Sequence, residues 1–494
     1  MARLLVLPIA VIVTHSAGVQ SAPAPAPAPW LARALIGRVE TGLLSLAQRW
    51  TPLTGPLGRD QGKKEPAAEP EPAAEPEPAP APPPPADTSL PAPEGHKLTL
   101  KATLGSGAGS DGHDVAALGV RTSSVDNDLT TALGLDQKGG GLVTELVRAS
   151  AAEAAAMRVG DVVLRLDQRQ VATHEDLMRI VRSYRPGSEV EVELWRAGEG
   201  ADDLRRLLQS RSDAGQVSAS VGLARLLYLG LVFPKDDGQA ARLFRKAAEA
   251  GHVPAMTSYA ILLKDGIGVQ KNETEAAKWF LKGADGGNEL AMTNLAQLYE
   301  TGRGATKSDA EAALWYRKAA DAGNAYAMLR LALMSEAGRG VAKDGAEAVR
   351  LLKLASDKGL SEATSKLAQK YAQGEGVAKD PAEAGRLNTR AAEQLRRAAD
   401  QGQAVAMFNL GLLYRIGKGV AKSDAEAGRW IIASFKRGDQ YLVGELMRNP
   451  GVLIPADRKW VQTLLREQGS YTGPIDGKFG PAVREAMTAL AGKR

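Results

Sequence analysis

The stretch GKGVAKSDAEAGRW (417–430) sets two glycines, a lysine and a serine ahead of a helix-like run, which are the ingredients of a phosphate-cradling loop. Such a loop needs glycine directly before the lysine, so that backbone N–H groups can curl around phosphates. Ala421 stands there instead, and Leu413, Tyr414 and Arg415 upstream have the texture of a helix rather than a strand. Recurrence decides between the two readings. Related stretches begin at Gly266 (GIGVQKN), Gly302 (GRGATKS), Gly338 (GRGVAKD) and Gly374 (GEGVAKD), so the steps up to Gly417 are 36, 36, 36 and 43 residues. A nucleotide site has no reason to recur at a fixed period, whereas a stacked supersecondary unit must. The stretch is therefore architecture.

Six copies of the unit can be aligned. Alanine recurs at 219, 255, 291, 327, 363 and 406, one glycine at 230, 266, 302, 338, 374 and 417, and another at 251, 287, 323, 359, 402 and 438. Between the glycines lie two helix-like segments, such as ELAMTNLAQLYETG and SDAEAALWYRKAADAG. Alanine permits close helix approach, glycine suits the left-handed position after a helix, and Asp or Ser before the second segment is a natural N-cap. Leu295, Leu298, Tyr299, Trp315 and Tyr316 read as core. The unit resembles the Sel-one-like (SLR) family of αα-hairpin repeats, related to tetratricopeptide repeats. That resemblance implies a superhelix whose concave face binds a protein, or a spacer between flanking modules. Seven additional residues around 389–395 would lengthen one second helix by nearly two turns without rotating its buried face. The first copy (GLVFPKDD) lacks G-x-G and reads as a cap.

Composition narrows the function. A chain of 494 residues exceeds one core, and a net charge of +5 with interspersed signs is not the basic footprint of a nucleic-acid binder. Only 5% of residues are aromatic, which argues against stacking platforms for single strands. There is no cysteine, so thiol nucleophiles, thiolate metal sites and disulfides are excluded. Histidines at 15, 96, 113, 174 and 252 never take the helical i, i+4 spacing of a zinc site.

At the N-terminus one arginine, an apolar run from Leu4 to Val13 and small residues have the layout of a secretory signal, taken as 1–21. In the segment 22–56, Leu31, Leu35, Val39, Leu43 and Leu46 form one helical face between Trp30 and Trp50. Such a helix docks on a partner or a membrane surface, or packs on its own protein. Residues 57–114 read as a linker: a disordered Pro/Ala/Glu-rich stretch in polyproline II conformation, then GSGAGSDGHD (105–114). Ser110, Asp111, His113 and Asp114 in one glycine-rich run do not make a triad, which draws its members from separate parts of a rigid scaffold.

From 115 to 200 the texture becomes short β-like runs (ALGVRT, GGGLVTELV, GDVVLRLDQRQV, SEVEVELWRAG) with one helical stretch, HEDLMRIVRS. The ALGV, VGDVVLRLDQRQV and RPGSEV segments resemble a PDZ domain, most like those attached to periplasmic serine proteases of the high-temperature-requirement family. The resemblance implies β-augmentation by a C-terminal peptide. Leu118, Gly119 and Val120 would form the carboxylate loop, Arg121 would continue the edge, and Met178 and Val181 would line the facing helix. His174 would select a ligand hydroxyl, and Leu177 and Ile180 would face the core. Ala155 and Ala156 stand where that family often has glycine, and no Ser/His/Asp set of a protease accompanies the module.

The end, WVQTLLREQGSYTGPIDGKFGPAVREAMTAL (460–490), resembles the peptidoglycan-binding module of many cell-wall hydrolases. By that resemblance Tyr471, Gly473 and Asp476 would contact glycan or stem peptide.

The expected architecture is multidomain: an α+β PDZ-like module (115–200), an αα-hairpin solenoid of about six SLR repeats (201–439) and a small helical peptidoglycan-binding module (440–494). The expected function is a non-enzymatic periplasmic scaffold without metal or cofactor, associated with the cell envelope. Its partners would be peptidoglycan, C-terminal peptides and an unknown protein on the solenoid. Rival readings are a cell-wall hydrolase or its activating subunit, and an adaptor that presents substrates to a periplasmic protease.

Overall fold

The computed structural model describes residues 94–108 and 114–491. The expected signal, the 30–50 helix, the proline-rich stretch and the centre of GSGAGSDGHD lie outside them.

The first module is an antiparallel sheet in the order β1-β8-β6-β5-β4, with a short β7 on β6. Its strands are β1 (Gly95–Thr103), β4 (Val120–Ser124), β5 (Gly141–Leu146), β6 (Val162–Leu166), β7 (Arg169–Gln170) and β8 (Glu189–Ala197). Strands β2 (Gly105–Ala108) and β3 (Asp114–Ala117) pair as a separate ribbon. Helices α1 (Asn127–Leu133), α2 (Ala151–Ala154) and α3 (His174–Arg182) fill the connections. The expected linker through 114 is thus corrected. β1 pairs with β8 along its whole length, from Gly95 with Ala197 to Thr103 with Glu189, and the flanks of GSGAGSDGHD are strands. Leu98, Leu100 and Ala102 face inward while Lys97, Thr99 and Lys101 stay exposed, the alternation of a half-buried strand.

Helix α4 (Ala201–Asp213) leads into six hairpins. Their first helices are α5 (Val217–Leu229), α7 (Val253–Asp265), α9 (Glu289–Thr301), α11 (Ala325–Ala337), α13 (Ser361–Gln373) and α15 (Ala404–Ile416). Their second helices are α6 (Asp237–Glu249), α8 (Glu273–Asp285), α10 (Asp309–Asp321), α12 (Gly345–Asp357), α14 (Pro381–Asp400) and α16 (Asp424–Lys436). Every first helix ends on its glycine at φ between 62 and 77°. Each second helix is capped by Asp236, Asn272, Ser308, Asp344, Asp380 or Ser423, whose side chain accepts the N–H three residues on.

The second glycine of G-x-G has a different task. A Cβ on Gly268, Gly304 or Gly340 would lie 2.0–2.1 Å from the carbonyl oxygen of Asp237, Glu273 or Asp309, the first residue of the preceding repeat's second helix. That glycine is the stacking contact between repeats. The first copy carries Val232 at this position because no repeat precedes it. Gly419 meets Asn388, seven residues beyond the start of α14 at Pro381, so the extra turns of that 20-residue helix precede the contact. In the opening stretch, Gly417 ends α15, Gly419 stacks and Ser423 caps α16.

Polar contacts also cross between first helices. Lys264 of α7 donates to Asn294 of α9 at 3.2 Å, and Arg330 of α11 reaches both oxygens of Glu300 of α9 at 2.7 Å. Tyr316 and Arg339 also donate to Glu300. Burial disfavours the ionised Glu300, but the two guanidinium groups outweigh it and hold its carboxyl below the usual range.

Both ends of the solenoid are covered. At the front, Leu129, Ala132 and Leu133 of α1, Leu204, Leu207 and Leu208 of α4 and the first repeats share one hydrophobic core. Within it Arg225 of α5, 2% exposed, forms a salt bridge with Asp126, whose other oxygen caps α1 through the Leu129 N–H at 2.8 Å. His252 joins Asp128 at 3.2 Å across the same junction. At the back, α17 (Gln440–Arg448), α18 (Pro455–Glu467) and α19 (Pro481–Ala489) share a core with Phe408, Ile431 and Phe435 of the last repeat.

Gly340→Ala should cost at least ~3 kcal/mol in urea unfolding, because it adds a backbone clash to a left-handed φ. Gly251→Ala, at φ 88° with nothing within 4 Å of the added Cβ, should cost only about 1 kcal/mol. Glu300→Gln should cost about 3 kcal/mol at neutral pH. Since the folded carboxyl titrates below its unfolded value, its stabilisation is complete above the unfolded pKa and lost as pH falls through the folded one. The mutational penalty should therefore shrink as unfolding is measured at progressively more acid pH.

Candidate peptide groove

β4 is an edge strand with α3 beside it, and the loop 118–119 leads into it. Gly119 sits at φ 79°, and a Cβ there would be 2.2 Å from the Ser150 Cβ. The loop is fastened by its carbonyls, for Leu118 accepts from the Ala152 N–H and Gly119 from the Val147 N–H, both at 2.9 Å. Among the described residues neither the Leu118 nor the Gly119 N–H has an acceptor. Two backbone donors beside an unpaired sheet edge are what a terminal carboxylate requires.

The other expected groove residues divide. Val120 is partly buried and packs on the core, and Met178 on α3 is 39% exposed. Arg121 is exposed and pairs with Glu145 on β5 at 3.2 Å, beside a bulge between Arg121 and Thr122. Leu118 is core and forms the base of the site. Val181, expected to line the groove, instead lies beneath it. It is only 4% exposed and packs in the same core as Leu118, because α3 turns a face of Leu177, Ile180 and Val181 inward at i, i+3 and i+4. Leu177 and Ile180 lie in that core as expected.

His174 is already engaged. Its Nδ1 is 3.0 Å from the Ser124 Oγ, and the same Oγ accepts the His174 backbone N–H at 3.0 Å. Glu175 also approaches Nδ1 at 3.0 Å. Ser124 was not singled out from sequence, where nothing marks a strand-end serine as a partner for a helix fifty residues on. Ser150 could have been found: Ser150-Ala-Ala-Glu153 is a capping signature, and its hydroxyl accepts the Glu153 N–H at 3.3 Å.

At the C-terminal turn, Tyr471 is 5% exposed, and its hydroxyl donates to the Pro474 carbonyl at 2.9 Å. Its ring is core and presents no face to glycan. Gly473 leaves room for it, since a Cβ there would be 2.5 Å from the Tyr471 hydroxyl. Asp476 is exposed, and its carboxyl is held below the usual range by the Gln462 amide and the Lys478 N–H. Gln462, fully buried, is the centre of the turn. It donates to Asp476 at 3.1 Å and to the Lys478 carbonyl at 2.9 Å, and accepts from the Gly477 N–H at 2.7 Å. Among the described residues no cluster of three His, Cys, Asp or Glu side chains is placed to hold a metal ion.

Residues 116–203 match the PDZ domain family, and 217–252, 253–288, 290–324, 325–360, 361–394 and 404–439 each match the Sel1 repeat. The chain carries a PDZ domain followed by six Sel1 repeats. A probable periplasmic serine endoprotease, DegP-like, of Rhizobium meliloti is 36% identical over 133 residues, which is 25% of this chain and 26% of that protein. A relative of the same name from Ectopseudomonas mendocina is 30% identical over 105 residues, covering 21% and 22%. The chain thus spans about a quarter of the length of these relatives, in the PDZ region. Among solved structures, a Sel1 repeat protein from Oxalobacter formigenes is 28% identical with TM-score 0.40, over 47% of this chain and 92% of that one.

Proposed function

We propose that this protein is a non-enzymatic periplasmic adaptor that captures free C-terminal tails of other proteins in its PDZ groove and holds a second protein on its Sel1 solenoid. The observation that carries the reading is the loop at Leu118–Gly119, whose carbonyls are used and whose amides face no acceptor among the described residues, next to the open edge of β4. The periplasmic relatives matched over the PDZ region support the compartment, as does the signal-like start. Because those relatives are named as proteases, capture of a tail fits an adaptor that presents substrates to a separate protease. Attachment to peptidoglycan through the C-terminal helices rests on their sequence likeness, with exposed Asp476 the remaining candidate contact and Tyr471 and Gly473 building the turn.

Fluorescence anisotropy with apolar-ended peptides tests tail capture. A free carboxylate should bind at least about tenfold more tightly than the amidated form, and Gly119→Ala should abolish the difference. Equal binding of acid and amide would refute the groove. In parallel the mature chain should co-sediment with purified peptidoglycan and leave muropeptides unchanged; release of new muropeptides would refute the non-enzymatic reading.

A further inference from the structure

A ligand that adds to β4 with its carboxylate at Leu118–Gly119 must run antiparallel to the strand. Its upstream residues therefore travel from the loop toward Ser124, along a strand of five residues, or about 17 Å. At that far end the strand and the helix are bolted together. The Ser124 Oγ accepts the first N–H of α3 and contacts the His174 ring, so a side chain from β4 spans the gap that a longer ligand would enter. The backbone bond holds whichever tautomer His174 adopts. Two residues further on, Asp126 is tied to Arg225 of the solenoid, so β4 is also held from behind and has little freedom to move aside.

We propose that Ser124 is the internal stop of the groove and a determinant of its specificity, confining strand addition to roughly the last four residues of a free C-terminal tail. It also supplies, from within the chain, the hydroxyl that His174 would otherwise take from a ligand. The groove therefore reads the terminal carboxylate and the terminal side chain against Val120 and Met178, and ignores a Ser or Thr upstream. Ligands of this kind are protein ends exposed for only a few residues, such as the frayed or newly cleaved termini of otherwise folded chains. The inference rests on the peptide-capture reading above.

The test is anisotropy with carboxylate peptides of about four and about eight residues, the longer ones bearing either Thr or Val two positions before the end. The wild-type chain should bind short and long peptides within about twofold and show no preference for Thr. Ser124→Ala should leave the short peptide unchanged, tighten the long one by about fivefold and create a preference for Thr over Val. Ser124→Thr, which keeps the hydroxyl, should behave as wild type. A wild-type affinity that rises tenfold or more with length, or an unchanged length ratio and no Thr preference in Ser124→Ala, would overturn the stop while leaving tail capture intact. If no carboxylate peptide binds the wild-type chain at all, the capture reading falls and the stop falls with it.

Discussion

The buried ion pair between Asp126 and Arg225 fixes how the rest of the structure is assembled. Arg225 is a fully engulfed cation on the first solenoid helix, and such a group is tolerated only beside an opposite charge. The turn after β4 brings one in Asp126, where the same carboxylate also caps α1. One residue therefore follows the edge strand β4, starts the helix that covers the solenoid and neutralises its buried arginine. Around it Leu129, Leu133, Leu204 and Leu208 merge with Leu223, Leu226 and Leu227 into a single apolar core. The PDZ domain is thus held in one orientation on the repeats instead of hanging from a tether.

The same logic closes the other end. A solenoid of αα-hairpins has apolar faces at both termini, and these need covering if the array is to stay in solution. Here the PDZ helices cover the first repeat and the C-terminal helices the last, where Leu464 lies against Gly428 and Trp460 beneath Arg415. Between these ends, the G-x-G glycines set the spacing. Any side chain at the second glycine would collide with the backbone of the preceding repeat. A rigid array with a peptide groove fixed at its front suits an adaptor, because a captured tail and a partner on the repeats would be kept at a constant separation.

The repeats were legible in the sequence because a left-handed φ and a backbone contact near 2 Å are demands that only glycine meets, and they recur at a fixed step. The edge strand and its loop were legible through the resemblance of ALGV to a PDZ carboxylate loop, in which Gly119 takes a left-handed φ. What escaped detection depends on distant partners. β1 (GHKLTLKAT) has a weak alternation next to a proline-rich run, and only pairing with β8 makes it a strand. Val181 was expected to line the groove by resemblance, one turn from Met178, and its burial shows only once α3 packs into the core that holds Leu118. Gln462 and Ser124 are polar residues whose roles exist only once remote backbone groups arrive, so neither leaves a local signature.

The central claim is that the PDZ domain and the solenoid form one body, and an interprobe distance tests it most directly. The chain has no cysteine, so Lys138→Cys on the PDZ domain and Lys278→Cys on the solenoid accept spin labels at those two positions alone. Pulsed electron resonance should give a single narrow distance distribution, which Arg225→Ala should broaden. A distribution in the unaltered junction as broad as that of domains joined by a flexible linker would contradict the account.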